Sequence, residues 1–275
     1  MGAALSDSQV RSFGEQGVLF PLPALGPAEV EACLEALARI EALAEPTRSR
    51  ALKNKSHLVS RTLHDLIQKP QILDAVEQVV GPDLMVWGAS FFNKAGGTPD
   101  FVSWHQDATY WGLEPPDIVT AWVAFTPSTV ESGCMRVVPG SHKWPIMPHR
   151  ETFGANNLLS RGQEIGVEVK DEDAVDVVLE PGQMSLHHVL IAHGSKPNRS
   201  SHPRIGFAIR YIGGHVRQAQ ASRDSATLVR GRNLSGTFEL EPEPKGELHP
   251  DDLAYHDRLH DQAPHLPKTA VPVGM

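Results

Sequence analysis

The chain has 275 residues, of which 40% are hydrophobic, and its formal net charge is −8. This length and apolar content suffice for one large domain with a buried core, whereas the acidic balance argues against binding to nucleic acid or to anionic membranes. The N-terminal stretch MGAALSDSQVRSFGEQG lacks the apolar core of a signal peptide, and no apolar run is long enough to span a bilayer. The two cysteines, Cys33 and Cys134, form no spaced framework, so we expect a cytoplasmic protein. From its charge and its lack of an apolar segment we expect no nucleic-acid or membrane partner.

The first 80 residues have the sequence pattern of helices. Ser6 and Gln9 form a capping-box motif at the start of a helix predicted over residues 7–15. GVLFPL then predicts a short strand, and GPAEVEACLEALARIEALA predicts an amphipathic helix. The stretch SRTLHDLIQKPQILDAVEQVVG predicts a further pair of helices, interrupted at Pro70.

After Gly81 the pattern changes to short apolar or alternating runs bounded by Gly, Pro, Asn or Asp. This pattern predicts an antiparallel barrel or jelly roll. We expect a single domain, residues 1–275, with a helical flank (1–80), a jelly-roll core (81–218) and an acidic C-terminal extension (219–275). The weakly periodic insert 143–173 is a candidate lid. The extension, with eight acidic and two basic residues in FELEPEPKGELHPDDLAYHDRLHDQ, is expected to lie along the surface with one short helix near DDLAYHDRLHD.

The stretch SWHQDATYWGL, residues 103–113, places His105 and Asp107 two positions apart. On a strand, residues i and i+2 point to the same face, so an imidazole and a carboxylate there can reach one metal ion. Such side chains are costly to bury unless they are paired or bound to metal. The same spacing also occurs by chance on the outward face of a strand, so the motif alone leaves both interpretations open.

A later stretch, LHHVLIAHGSKPNRSSHPRIGFAIRY, adds His193 at the end of an apolar strand and Arg204 eleven residues later. Two histidines and one carboxylate on one face of an octahedral iron leave three positions open, which is the arrangement of non-haem Fe(II) oxygenases. A buried arginine in the same barrel would bind a carboxylate through two hydrogen bonds, as a dicarboxylate co-substrate requires. Arg204 taken alone could equally be a surface residue.

Other histidines are expected to be structural or exposed. His187 and His188 are adjacent, so on a strand they face opposite ways and at most one could join a given site. His256 and His260 stand four apart on the predicted helix of the extension, a spacing that can chelate a metal. Because HDRLH lacks the glutamate of a zinc-protease motif, we expect a solvated helix face there.

Together these residues resemble the phytanoyl-CoA dioxygenase family of Fe(II)- and 2-oxoglutarate-dependent oxygenases, from the N-terminal helices to about residue 218. The family pattern is His-x-Asp, then an RVVPGSH segment, then His-x-Ser with an arginine eleven residues after that histidine. The pattern is met here by His105, Asp107, the segment from Arg136 to His142, His193, Ser195 and Arg204. The stretches HQDATYWGL and GCMRVVPGSHKW are most similar to a bacterial branch whose members hydroxylate small aminophosphonates and secondary-metabolite intermediates.

The resemblance implies a mainly β fold, namely a double-stranded β-helix (a cupin-like jelly roll) with N-terminal and flanking helices and a metal at its mouth. It implies that iron is bound by His105, Asp107 and His193. It further implies that 2-oxoglutarate is held by Arg204 and Ser195, with Asn93, Gln106 and Trp122 lining the same pocket. On a regular strand Gln106 would face away from its two neighbours, so its role requires a bulge or a strand end at that point.

The implied reaction consumes O2 and 2-oxoglutarate, releases succinate and CO2, and hydroxylates a small molecule at an unactivated C–H bond. Related halogenases lack the carboxylate ligand, so the presence of Asp107 favours hydroxylation, while desaturation and ring formation stay open. Residues 48–61, RSRALKNKSHLVSR, hold five cations and no acid. Folded over the barrel mouth they would attract an anionic group, so we expect an anionic or zwitterionic substrate; the alternative is a solvated basic loop.

Two other functions compete with this interpretation. One is a cupin-like metal enzyme that does not use 2-oxoglutarate, such as an isomerase or hydrolase. The other is a non-catalytic metal-binding sensor. Arg204 with Ser195 argues against the first, because such a site needs no dicarboxylate anchor. The presence of all three metal-ligand residues argues against the second.

Overall fold

The computed structural model describes residues 4–151, 156–159, 163–165, 169–221 and 223–262. The helices are α1 Asp7–Gln16, α2 Pro27–Glu41, α3 Thr47–Lys53, α4 Arg61–Ile67, α5 Pro70–Val80 and α6 Pro250–Gln262. The strands are β1 Val18–Pro23, β2 Leu84–Phe91, β3 Val102–His105, β4 Leu113–Glu114, β5 Ile118–Ala124, β6 Met135–Val137, β7 His149–Glu151, β8 Gln163–Ile165, β9 Val175–Val177, β10 Gln183–His188, β11 His193–Ser195, β12 Gly206–Gly213, β13 Arg217–Gln218, β14 Ser225–Arg230 and β15 Glu239–Leu240.

Two sheets form a jelly-roll core. The larger sheet has the order β1-β10-β5-β12-β2-β14-β15, and the smaller one the order β3-β11-β6-β9. All pairs in the two sheets are antiparallel except β14 with β15. Strands that are distant in sequence are therefore neighbours, which is the hallmark of a jelly roll. The predicted mainly β, jelly-roll fold with helical flanks is confirmed.

The larger sheet has one apolar and one mixed face, because side chains alternate along each strand. On β12, Phe207, Ile209 and Tyr211 pack into one hydrophobic core with residues of α1, α2, α4 and α5. The intervening residues of the same strand, Ala208 and Arg210, line a cavity on the opposite face. The helices thus bury one face of the sheet and leave the other for chemistry.

The predicted elements of the N-terminal flank are confirmed, with one addition. The capping box at Ser6 and Gln9 is present, and the helix it starts extends to Gln16. The predicted pair of helices is present as α4 and α5, and Pro70 is the first residue of α5. Helix α3 was not predicted, because the basic segment that contains it has no apolar periodicity and only Ala51 within it is buried.

The acidic C-terminal extension packs on the basic segment 48–61. Arg50 forms ion pairs with Asp257 and Asp261 of α6, at 3.1 and 3.0 Å, and the Lys55 ammonium contacts Glu241 at 2.5 Å. The predicted helix of the extension is confirmed as α6. Most of the positive charge of the basic segment is therefore used within the protein.

The prediction of a solvated helix face at His256 is wrong. His256 is 2% exposed, and its Nε2–H donates to the Asn54 carbonyl oxygen at 2.8 Å. This burial follows from the packing of α6 against α3, which the sequence of α6 alone does not reveal. His260, on the next turn, keeps an exposed side chain.

The insert 143–173 is described only in part. Its residues include the hairpin of β7 and β8, while 152–155, 160–162 and 166–168 lie outside the described residues. Leu158 and Leu159 line the cavity that is also lined by Arg210.

None of the helices within the described residues has both the length and the apolar character needed to cross a bilayer.

Candidate metal and co-substrate site

Three potential metal ligands converge at one end of the jelly roll. The Nε2 atoms of His105 and His193 lie 3.3 and 4.0 Å from Asp107 Oδ1, and one ligand atom from each residue lies within 4.8 Å of the others. His105 and His193 are direct cross-strand partners on β3 and β11. The structure therefore brings together the three residues that the sequence singles out as metal ligands.

The expected strand geometry of His105 and Asp107 is only half correct. Strand β3 ends at His105, and Asp107 begins a 3-10 helix, Asp107–Tyr110. The two side chains converge because the backbone turns after the strand, not because they share one face of it. A strand end of this kind was expected at Gln106, but it turns Asp107, not Gln106, towards the cavity.

The histidine rings are oriented by backbone carbonyls. The Nδ1 atom of His105 lies 2.9 Å from the Ser103 carbonyl oxygen, and that of His193 lies 3.1 Å from the Ile191 carbonyl oxygen. If each Nδ1–H donates to its carbonyl, each Nε2 presents a lone pair towards the Asp107 carboxylate. Lone pairs that face a carboxylate repel it unless a cation lies among them, so the donor set fits a metal ion.

Burial, together with the proximity of His105, lowers the pKa of His193 to about 4. The His193 imidazole is therefore neutral near pH 7, which is the form that binds metals. Neighbouring His187 lies with its ring 5.2 Å from that of His193. Burial likewise lowers its pKa to about 3. Both imidazoles are therefore neutral near pH 7, and neither balances the charge of the Asp107 carboxylate. A positive charge between the three ligand atoms would have to come from a bound metal ion.

The RVVPGSH segment supports the strand that carries His193. Val137 of this segment pairs with His193 across β6 and β11. Ser141 accepts a hydrogen bond from the backbone N–H of Ala192 at 2.8 Å. Arg136 forms ion pairs with Asp171 at 2.5 Å and with Asp176. The segment therefore positions a metal ligand and does not itself enter the cavity.

A second polar group, centred on two buried cations, lies beside the three ligands. Arg204 is 2% exposed, donates through Nη1 to the Gly133 carbonyl at 2.7 Å, and has no hydrogen-bond partner for Nε. Its guanidinium lies 5.2 Å from the ring of Trp122. Lys94 is 1% exposed and donates to Ser195 Oγ at 2.7 Å.

Neither buried cation has a carboxylate partner within the part of the chain that the structure describes. Burial, with the nearby charge of Arg204, lowers the pKa of Lys94 to about 7. Burial also lowers the pKa of Arg204 to about 10. Because buried charge is costly unless it is paired, this group fits a bound anion. Lys94 was missed from the sequence, since a lysine after a strand is ordinarily exposed.

The remaining predicted pocket residues divide into two groups. Asn93 and Trp122 line the cavity with Ser195 and Arg204. Gln106 does not line it, contrary to the expectation from the resemblance. Its amide nitrogen donates to the Leu190 carbonyl at 2.8 Å, and its amide oxygen accepts from the Met147 N–H at 2.8 Å. Gln106 faces away from the cavity and joins two loops instead.

The cavity is lined by the three potential ligands and, from the second polar group, by Arg204 and Ser195; its volume is about 540 Å³. Its wall also includes residues outside the predicted metal and co-substrate sets. Thr120, His187 and Arg210 come from three adjacent strands of the larger sheet, and Lys53 comes from α3. Of the adjacent pair His187 and His188, only His187 lines the cavity, as expected for a strand.

A jelly roll whose cavity is lined by two histidines, one carboxylate and a buried arginine without a carboxylate partner defines the class of cupin-fold metalloproteins built for an anionic co-ligand. The profile of the phytanoyl-CoA dioxygenase (PhyH) family matches residues 13–206. The chain belongs to this family, and the predicted resemblance is confirmed.

Individual relatives support the assignment. The peroxisomal phytanoyl-CoA dioxygenase of Bos taurus is 34% identical over 137 residues, which are 48% of this chain and 40% of the relative. The chain thus spans less than half the length of this curated relative. The 1-deoxypentalenic acid 11-beta-hydroxylase of Streptomyces exfoliatus is 30% identical over 213 residues, 73% of this chain and 70% of the relative. A solved structure of the apo non-heme monooxygenase ThoJ superimposes with a TM-score of 0.81 at 34% identity, covering 92% and 98% of the two chains.

Proposed function

We propose that the protein is an Fe(II)- and 2-oxoglutarate-dependent oxygenase that hydroxylates a small molecule. The observation that carries the proposal is the presence, in one cavity, of three metal-ligand atoms within 4.8 Å of each other and of an unpaired buried arginine. When bound, iron and 2-oxoglutarate supply the oxidising chemistry that replaces a C–H bond by C–OH, with O2 consumed and succinate and CO2 released.

Different residues of the chain would bind the iron and orient its ligands. His105, Asp107 and His193 would hold iron in the facial arrangement that leaves three positions for other ligands. The carbonyl oxygens of Ser103 and Ile191 fix the two imidazole rings. Because Asp107 supplies the third protein ligand, hydroxylation is favoured over halogenation.

The distal carboxylate of 2-oxoglutarate would bind at the second polar group. The guanidinium of Arg204 would donate hydrogen bonds from Nε, which has no partner, and from those N–H groups that are not already used. Ser195 offers its hydroxyl, whose orientation is set by the hydrogen bond that it accepts from Lys94. Trp122 and Asn93 would complete the wall. A metal enzyme that does not use a dicarboxylate has no need for two buried cations at this position.

The substrate is proposed to be small and anionic or zwitterionic. A relative that is 30% identical over most of this chain is named for hydroxylation of a carboxylic acid, 1-deoxypentalenic acid. Lys53 of the basic segment lines the cavity, as expected if this segment lies at the barrel mouth. We also propose that the insert 143–173 acts as a lid of a single-domain enzyme, because Leu158 and Leu159 contribute to the cavity wall.

Arg204→Gln should weaken the binding of 2-oxoglutarate by about 30-fold or more, since truncating one partner of a buried charge pair costs about 2 kcal/mol or more. Fe(II) and then 2-oxoglutarate are added without oxygen, and the visible charge-transfer band of the chelate is titrated. Arg217→Gln is the matched control, because Arg217 is exposed and pairs with Glu114 on the surface.

Three outcomes would contradict parts of this proposal. Unchanged affinity in Arg204→Gln would remove the co-substrate role of Arg204. Iron binding without a band in the wild type would favour the cupin-like enzyme that does not use 2-oxoglutarate. Failure to bind iron at all would remove the metal site itself.

A further inference from the structure

Strand β12 carries a second arginine towards the cavity. Arg210 lies within β12, whereas Arg204 precedes this strand by two residues. Six residues of extended chain separate their backbones by about 20 Å. Both line the cavity. A 2-oxoglutarate held by Arg204 thus leaves Arg210 for another ligand.

Arg210 lies in the part of the sheet that underlies the metal ligands. It pairs with Thr120 on β5, which in turn pairs with His187 on β10. The ring of His187 lies 5.2 Å from that of His193. Arg204, in contrast, lies before the start of β12, where its backbone bridges to Lys94. A group bound at Arg210 is therefore on the metal side of the cavity.

Arg210 forms no ion pair within the described residues; burial lowers its pKa, and the charge of Asp107, acting from a longer distance, raises it against this effect. Its Nη1 donates to Ser90 Oγ at 3.0 Å, and its guanidinium lies 5.6 Å from the ring of Trp111. No carboxylate of the described chain lies within ion-pair distance of it. Of the five N–H groups of an arginine, four have no partner among those residues. Such a fork is matched to a carboxylate or a phosphonate.

Neutral hydrogen-bonding groups surround this guanidinium. Thr120 is 2% exposed and its Oγ1 has no partner; His187 is 3% exposed and its Nδ1 has none. Both line the cavity. Buried polar atoms are ordinarily hydrogen-bonded, so two partnerless ones beside an unpaired arginine point to a polar ligand that satisfies them.

One further cation reaches the same cavity. The other four basic residues of segment 48–61 form ion pairs: Arg48 with Glu45, Arg50 with α6, Lys55 with Glu241, and Arg61 with Asp65 and Glu243. Lys53 is exposed and lines the cavity. Within the described parts of the chain it forms no ion pair. The basic segment thus supplies one free cation, and it does so at the cavity.

We propose that Arg210, with Thr120, forms an oxyanion subsite that binds the carboxylate or phosphonate group of the substrate, and that Lys53 attracts the anion at the cavity wall. This inference rests on the proposed oxygenase function, because it assumes that Arg204 holds 2-oxoglutarate. It goes further by assigning the substrate's charged group to named residues.

The test uses small probes on protein loaded anaerobically with Fe(II) and saturating 2-oxoglutarate. Cyclohexanecarboxylate and methylphosphonate are titrated, with cyclohexanecarboxamide as the neutral match of the former. The readouts are the melting temperature and the visible band. At least one anion should raise the melting temperature and perturb the band, while the carboxamide should do neither. Whether the carboxylate or the phosphonate binds more tightly identifies the preferred oxyanion.

Arg210→Gln should weaken binding of the anion at least tenfold, while the affinity for 2-oxoglutarate stays within about twofold of the wild type. Arg210→Lys keeps the charge but loses the fork, so it should be intermediate if binding is bidentate. Arg217→Gln, on the surface, should match the wild type. Thr120→Val removes an unpartnered hydroxyl, so it should fold normally and bind the anion several-fold more weakly. It therefore tests the subsite even if Arg210→Gln fails to fold.

The results that overturn the inference are distinct from those that overturn the proposed function. If the band forms but the wild type does not distinguish the anions from the carboxamide, the subsite does not exist. The same holds if Arg210→Gln, or Thr120→Val in its place, binds the anion as the wild type does. If Arg210→Gln instead weakens 2-oxoglutarate, Arg210 serves the co-substrate. Absence of the band in the wild type rejects the oxygenase proposal itself.

Discussion

Replacing His193 by alanine should weaken iron binding by more than about a hundredfold and abolish the visible band formed with 2-oxoglutarate. Removal of an outer partner of a metal ligand costs about 10- to 100-fold in affinity, and His193 is proposed to be a ligand itself. Turnover of 2-oxoglutarate should fall to background for the same reason. The fold should survive, because the ring lines the cavity and is not part of the hydrophobic core clusters.

His215→Ala is the matched control, because His215 is an exposed histidine that pairs with Asp117 at the surface. Its iron affinity and band should equal those of the wild type. His105→Ala and Asp107→Ala should behave like His193→Ala, with circular dichroism showing that all variants fold. If any one of the three ligand variants keeps both the band and full turnover, the three-residue metal site is incorrect. Formation of the band without turnover of 2-oxoglutarate in the wild type would instead favour a sensor.

Much of the fold could be predicted because its signals are local. The capping box at Ser6 and Gln9 and the apolar alternation of the later strands depend on residues a few positions apart, and both predictions are confirmed. Helix α3 was not predicted, because its stability comes from contacts with distant elements, namely α2, α6 and β2. A polar helix held by tertiary contacts has no periodic signature of its own.

The candidate site, too, was only partly predictable from the sequence. The resemblance placed His105, Asp107, His193 and Arg204 correctly in one cavity, although the turn after His105 replaced the expected strand. Lys94 and Arg210 were not predicted, because only the fold shows that Arg210 lines the cavity and that Lys94 is buried behind Ser195. A charged residue in a single sequence is most economically interpreted as exposed.

The acidic character of the C-terminal extension was evident from the sequence, but the residues with which it pairs were not. The family match ends at residue 206, and Glu241 lies well beyond it. Glu241 nevertheless accepts hydrogen bonds from Lys55, from Ser225 at 2.7 Å and from Thr227 at 2.7 Å. Pairing between residues 186 positions apart is set by the fold and leaves no trace in local sequence.

This pairing connects the extension to the cavity wall. The Lys55 ammonium also donates to the Trp87 carbonyl at 2.7 Å, and the Trp87 ring lies 5.0 Å from that of Trp111. Trp111 lines the cavity beneath the guanidinium of Arg210. The extension therefore fixes the segment that carries Lys53 and, through the two tryptophans, one wall of the proposed substrate subsite.

Glu241→Gln should lower the free energy of unfolding by about 3 kcal/mol or more, because it leaves the buried Lys55 ammonium without a counter-charge. The side chain of Glu241 is fully buried. Glu243→Gln is the matched control, since Glu243 and its partner Arg61 are both exposed and such pairs contribute about 1 kcal/mol or less. Urea unfolding at neutral pH measures both changes.

The double variant Lys55→Met with Glu241→Gln separates pairing from packing. Removing both charges should restore much of the stability lost in Glu241→Gln, because no unpaired buried charge then remains. The ion pair does not hold the extension in place if Glu241→Gln costs no more than Glu243→Gln. The same follows if the double variant is destabilised, relative to the wild type, by the sum of the effects of Lys55→Met and Glu241→Gln measured singly.

The same cluster sets the direction of the pH dependence. Burial opposes ionisation of Glu241, but the charges and hydrogen bonds of Lys55 and His57 together outweigh it, and the pKa of Glu241 lies below its ordinary value of 4.5. Burial lowers the pKa of His57, which contacts Glu241, below 6.5. In both cases the unfolded chain binds protons more readily, so stability should fall as the pH drops below about 6.5 and further below about 4.5. Glu241→Gln should remove the carboxylate's part of this loss, so the gap between variant and wild type should narrow in acid and stay widest near neutral pH.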